Sequence, residues 1–241
     1  MNSIYQDILD SISKSEHLLA VLIDPDKMHV EKVPAFMSKL NRSMTTHVFV
    51  GGSEVPEGLT EALVVEIKKH TKLPVILFPG DIIQITDKAD GVLFLSLISG
   101  RNPEYLIGKH VESVSKLKTT KLDVLPTGYI LIENGKKTSV ERISQTKPIK
   151  REAVDTIINT AIAGELLGMK LIYLEAGSGA THPIKGEIIQ KVKKALNVPL
   201  IVGGGIRSEV EMYSAFDAGA DLVVIGTALE NNEDFFNELN K

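Results

Sequence analysis

The stretches P-L-I-V-G-G-G-I-R-S (199–208) and A-G-A-D-L-V-V-I-G-T-A (218–228) decide the fold. Residues 200–202 form a short apolar, partly β-branched run that Gly203, Gly204 and Gly205 close. Residues 222–225 form a second run, closed by Gly226 and Thr227. Ser208 is suited to cap an intervening helix, and Ala218, Gly219 and Ala220 end it. The pattern predicts two neighbouring parallel strands, each ending in glycine at the same rim. Without a Cβ, glycine lets an anion come close to bare amides. In a (βα)8 barrel, phosphate sites lie in the loops after strands seven and eight. This pair stands at the C-terminal end of a chain of barrel length, so it predicts a phosphorylated ligand. The plainer reading is that the glycines only permit tight turns.

Six strand signals precede the pair, at 18–23, 47–50, 74–78, 91–96, 123–132 and 170–175. Helical periodicity falls between most of them: through Val33, Phe36, Met37 and Leu40, from Pro56 to about His70, from 101 to about Lys116, and over 152–167. Residues 82–87 are too few and too irregular for a barrel helix, so the third helix is missing or replaced. Ile4, Ile8, Leu9 and Ile12 predict an extra N-terminal helix lying over the bottom of the barrel, and 232–239 predict a final helix. Residues 133–151 are polar and non-periodic and read as a long loop, a lid or an oligomer contact. The expectation is an α/β chain, one (βα)8 TIM-barrel domain spanning 1–241.

Composition narrows the chemistry. With 43% hydrophobic and 24% charged residues, a soluble globular protein is expected. A net charge of −4 argues against a nucleic-acid partner. The absence of cysteine excludes disulfides, thiolate catalysis and cysteine-ligated metals. The six histidines show no metal-ligand spacing, which disfavours zinc. No apolar run reaches membrane-spanning length, and the opening M-N-S-I-Y-Q-D-I lacks a signal peptide's basic start and apolar run, so a cytoplasmic location is expected.

Barrel active sites sit at strand C-termini, so candidates can be read from the rim. Asp24 and Asp26 flank Pro25 after the first strand and suit a hard cation such as Mg2+, unless one of them caps the next helix. Ser53 follows the second strand and is either a ligand for metal or phosphate or a plain turn residue. In K-L-I-Y-L-E-A-G-S-G-A (170–180), Tyr173 and Glu175 share one face by period two. That face is the barrel interior at its mouth, where an uncompensated carboxylate is costly. Glu175 is therefore a general base, a metal ligand or an acceptor for substrate hydroxyls, unless it forms a structural ion pair. Gly177 and Gly179 make a further amide-rich turn around Ser178. Tyr129 lines the mouth or packs in the core.

The motifs L-I-D-P-D-K, V-G-G-S, F-P-G-D, L-I-S-G-R-N-P, Y-L-E-A-G-S-G-A, V-G-G-G-I-R and V-I-G-T, in this order, resemble the geranylgeranylglyceryl phosphate synthase family over essentially the whole chain. Length and the P-D-K form are similar to the second of its two groups, with archaeal and Bacteroidetes-type members. The resemblance implies a Mg2+-dependent prenyltransferase that joins sn-glycerol 1-phosphate to a long-chain prenyl diphosphate, geranylgeranyl in this group, as an ether. It implies a barrel with a replaced third helix, with Asp24 and Ser53 on Mg2+. Tyr173, Leu174, Glu175, Ala176, Gly177, Ser178 and Gly179 would hold glycerol phosphate, with Gly204, Gly205, Gly226 and Thr227 on its phosphate. Glu175 would be the base. Some bacterial relatives carry lysine two residues before the first aspartate; Leu22 stands there in this chain. The family forms homo-oligomers, dimers or hexamers, and a lipid product would bring peripheral contact with a membrane. Two other readings stay open: a phosphosugar-type isomerase or lyase on the same barrel, or a non-catalytic subunit that binds a phosphorylated ligand.

Overall fold

Eight parallel strands pair in sequence order and close on themselves in the computed structural model, which describes residues 3–226, 228, 229, 235, 236 and 239. They are β1 (Leu18–Ile23), β2 (His47–Val50), β3 (Val75–Leu77), β4 (Gly91–Ser96), β5 (Asp123–Leu131), β6 (Leu171–Glu175), β7 (Leu200–Gly203) and β8 (Leu222–Ile225). Leu18 pairs with Leu222 and Val21 with Ile225, which closes the ring. The α-helices are α1 (Ile4–Ser13), α2 (Val33–Leu40), α3 (Leu59–His70), α4 (Lys109–Leu117), α5 (Ser139–Ser144), α6 (Val154–Leu166), α7 (Gly186–Ala195) and α8 (Glu209–Asp217). The chain is the expected (βα)8 barrel.

Alternation along each strand sorts the core into two compartments. Phe49, Ile76, Leu93, Tyr129, Tyr173, Ile201 and Val224 fill the interior. Ile172, Leu174 and Val202 point outward and pack with Ile157, Ala161 and Ile188 of the helices. Each such fully buried side chain contributes roughly 1.5–3 kcal/mol before entropy costs. Ser3 caps α1 by accepting the Gln6 amide at 3.2 Å. Ile4, Ile8 and Ile12 of α1 pack against the interior cluster, and the Tyr5 amide reaches Asp123 at the start of β5. The extra helix thus covers the bottom of the barrel, as expected.

The third unit departs from the repeat. A single 3-10 turn, Ile82–Gln84, replaces the helix after β3, and Asp81 caps it by accepting the Ile83 amide at 3.2 Å. Gln84 is buried; its side chain donates to the Gly52 carbonyl at 2.8 Å and accepts the Gly52 and Gly80 amides. The strap is therefore tied to the end of β2, and no helix stands between it and α4.

The structure corrects one expectation and refines two. The 133–151 segment is not a continuous loop: it contains α5, whose start Thr138 caps by accepting the Glu141 amide at 3.2 Å, and Ile149 pairs with Ile132 beside β5. The helix after 101–103 opens with a π-turn, Glu104–Gly108, before α4. Neither Asp24 nor Asp26 caps a helix, since the next one begins beyond His29 and has no side-chain cap. The expected helix at 232–239 lies largely outside the described residues. Among those described, no helix is long and apolar enough to cross a membrane.

Candidate active site

β6 raises Tyr173 and then Glu175 to the top of the interior, with only 6% of Glu175 exposed. Burial pushes the Glu175 carboxyl above its ordinary value. The Gly177 amide, donating to Oε1 at 2.5 Å, and the Tyr173 phenol oppose that rise by favouring the anion. Burial and the neighbouring carboxylate raise the Tyr129 and Tyr173 phenols well above their ordinary value, so both stay neutral donors. Their rings meet edge to face at 5.3 Å, and Phe78 lies 6.0 and 5.7 Å from them. A proton-accepting group thus sits on an aromatic floor.

Glycine turns surround that carboxylate. Gly204 has φ +84°, and a Cβ there would collide with Glu175 Oε1 and the amides of Ala176 and Gly177. A Cβ at Gly203 would strike the Tyr173 hydroxyl. The amides of Gly179, Gly204 and Gly205 donate to no protein acceptor among the described residues. Arg207 braces the next loop by donating to the carbonyls of Ala180 and Thr181.

Across the mouth, Asp24 Oδ1 accepts the Asp26 amide at 3.1 Å and Lys27 lies 3.4 Å from Oδ2. A Cβ on Gly52 would fall onto the Asp24 carboxylate, so the ends of β1 and β2 share a small polar recess beside Ser53. No cluster of three acidic or histidine side chains forms among the described residues.

The polar end belongs to a single cavity of about 390 Å³ that extends between the strap and α4. Phe78, Ile82, Ile85, Leu95, Val140 and Ile143 give it apolar walls. Its lining also includes His110, edge-on to Phe94 at 4.3 Å, and Ser113. Burial lowers the His110 pKa, and its Nδ1 has no hydrogen-bond partner among the described residues. Lys109 bonds to Asp81 at 2.6 Å and latches α4 to the strap. Partial burial would raise the Asp81 carboxyl, but Lys109 together with the Ile83 and Ile82 amides holds it below its ordinary value.

One cavity therefore brings together Asp24, Ser53, Tyr173, Glu175, Gly177, Ser178, Gly179, Gly204, Gly205 and Gly226. Leu174 and Ala176 do not line it; their side chains pack in the outer layer. Thr227 lies outside the described residues. The sequence reading passed over Phe78, the Asp81–Lys109 pair, His110 and the α5 wall. Only the F-P-G-D turn and the T-x-x-E capping pattern of Thr138 and Glu141 pointed towards them.

The PcrB family profile matches residues 10–241. The chain belongs to the PcrB family. It is 54% identical over 230 residues to a geranylgeranylglyceryl phosphate synthase of Zunongwangia profunda, covering 94% of this chain and 98% of that one. Another of that name, from Thermococcus kodakarensis, is 41% identical over 216 residues, 89% of this chain and 85% of the relative. Among solved structures, the (S)-3-O-geranylgeranylglyceryl phosphate synthase of Thermoplasma acidophilum superposes with TM-score 0.93 at 29% identity, covering 99% of this chain and 96% of that one. It was crystallised with its substrate sn-glycerol-1-phosphate. This PcrB member thus shares a whole-chain fold with a protein that holds a phosphorylated triol.

Proposed function

We propose that this chain joins sn-glycerol 1-phosphate to geranylgeranyl diphosphate through an ether bond and releases diphosphate. The observation that carries the reading is the buried Glu175 carboxylate, set between unpaired glycine amides and the mouth of an apolar groove. The amides of Gly179, Gly204 and Gly205 bind the glycerol phosphate group, and Gly226 lines the same cavity. Charge-assisted bonds of that kind contribute roughly 1.5–3 kcal/mol each. Anchoring one end fixes which hydroxyl faces Glu175, and hence the stereochemistry. The allylic carbon–oxygen bond breaks, its electron pair leaves with diphosphate, and the glycerol C3 oxygen bonds to that carbon. The hydroxyl proton passes to Glu175, whose raised pKa suits an acceptor; such a base contributes about 10²–10⁴ in rate. The prenyl tail lies in the groove between strap and α4, where burial favours it by about 0.8 kcal/mol per methylene before entropy costs.

Asp24 and Ser53 fit Mg2+. The cation is commonly held through one or two carboxylates and the substrate's own phosphates, and the Asp24–Gly52 recess has no Cβ to fill it. When bound, the ion would stabilise the charge that develops on the diphosphate leaving group. Asp24→Asn then raises the Mg2+ concentration needed for half-maximal rate without changing affinity for glycerol phosphate; an unchanged Mg2+ titration removes Asp24 from that role. A homo-oligomer belongs to the same reading, and the exposed Leu166 and Leu167 at the end of α6 offer it apolar surface. So does peripheral membrane contact, for which Ile107, Val111 and Val114 stand exposed along the helix that walls the groove.

The test is incubation with Mg2+, geranylgeranyl diphosphate and labelled sn-glycerol 1-phosphate, with sn-glycerol 3-phosphate in parallel, scoring label in the organic phase. Transfer from the first isomer alone is expected. Equal transfer from both would contradict the anchoring, and none from either would favour a phosphosugar enzyme or a silent binder.

A further inference from the structure

We propose that Lys136 supplies the counter-charge for the phosphate monoester of the glycerol substrate. The inference rests on the reading of the glycine turns as that phosphate's site.

A phosphate monoester carries between one and two negative charges at neutral pH. Backbone amides solvate it but bring no net charge. The β1 position facing this site is apolar: a Cβ on Gly226 would lie 3.4 Å from Leu22 Cβ and 3.6 Å from its Cδ2. The cations that line the cavity are engaged. Lys27 lies beside Asp24, Lys109 bonds to Asp81, and Arg207 donates to the Ala180 and Thr181 carbonyls.

Lys136 is differently placed. Its ammonium stands over Gly179, where a Cβ would be 3.0 Å from Nζ and 3.8 Å from Cε. It has no ion pair among the described residues. The segment that carries it is pinned to the turn. Asn134, 1% exposed, donates to the Ala176 carbonyl, and its Oδ1 accepts the Lys136 amide at 3.2 Å. Two residues on, the Thr138 methyl occupies the space that a Cβ at Gly177 would need. Gly179 has φ +64°, a left-handed value that L-residues seldom adopt, so the position below the ammonium stays bare. The post-β5 segment thus lays a cation against a turn that presents an unpaired amide.

The anion could also be the donor's diphosphate, and kinetics separates the two. Binding of sn-glycerol 1-phosphate to intact wild type, Lys136→Ala and Lys136→Arg would be measured by calorimetry, with KM for both substrates. For an exposed charge, Lys136→Ala is expected to raise Kd and KM for glycerol phosphate about 5-fold. The kcat should stay within about 2-fold, Lys136→Arg should recover most of the loss, and the wild type should lose more affinity with added salt than Lys136→Ala. An unchanged Kd in Lys136→Ala, or a loss confined to the prenyl diphosphate, would overturn the proposal. Failure of wild type itself to bind glycerol phosphate would remove the phosphate site, and the proposal with it.

Discussion

The two halves of the barrel rim are built on different principles. On the β6–β8 side the working surface is backbone: Gly177, Gly179, Gly204 and Gly205 all have positive φ, and most would clash if given a Cβ. On the β3–β4 side it is side chain: a one-turn strap stands where a helix belongs, and Phe78, Ile82, Ile85 and Ile143 line the space left. Amides fixed by main-chain geometry can discriminate the position and hand of a charged group. Side-chain walls discriminate only length and bulk, at about 1–3 kcal/mol per methylene. The first half should therefore tolerate almost no substitution, and the second should yield graded changes.

Gly204→Ala probes the rigid half most severely. Its Cβ would push into Glu175 Oε1 and two amides, on a backbone that L-residues seldom adopt. We expect kcat/KM to fall at least about 10²-fold, since displacements near 1 Å cost that much. A near-normal rate in a steady-state assay would show that this half is softer than described.

Glu175→Gln tests the electrostatic cost of the same half. The folded state raises the Glu175 pKa, so it holds the proton more tightly than the unfolded chain does. Wild-type stability from this group is then fully present below the unfolded value near 4.5 and declines as pH rises through the folded one. Glu175→Gln should melt at or above the wild-type temperature at pH 8, and the variant's advantage should shrink as pH falls towards 4. A Tm deficit that grows with pH would contradict this sign.

Ser113→Leu adds bulk to the α4 wall of the groove. The rate with a twenty-carbon donor should fall by about 10-fold, whereas ten- and fifteen-carbon donors lose less. Affinity for glycerol phosphate should not change. Equal losses for all donors would place Ser113 away from the tail.

These halves were unequally legible in the sequence. The glycine side could be read because its signals are local: apolar runs ending in glycine, and period-two spacing that turns Tyr173 and Glu175 inward together. The same alternation turns Leu174 and Ala176 outward, away from the cavity. The groove side could be read only as a gap, the missing helix at 82–87. Its walls come from residues far apart in the chain, such as Asp81 with Lys109 and Phe78 with Tyr129, and no local pattern joins them. Lys136 belongs with these, since its place over Gly179 depends on the buried Asn134 bond across 42 residues.

The central claim is that Glu175 accepts the proton from the glycerol hydroxyl. Single-turnover rates at saturating substrates, followed across pH for wild type and Glu175→Gln, address it most directly. The account predicts a wild-type rate that climbs with pH through a raised carboxyl pKa and then levels. The variant should be flat and about 10²–10⁴ slower. A variant that loses affinity for glycerol phosphate yet reacts at the wild-type rate once saturated would make Glu175 an anchor and not the base.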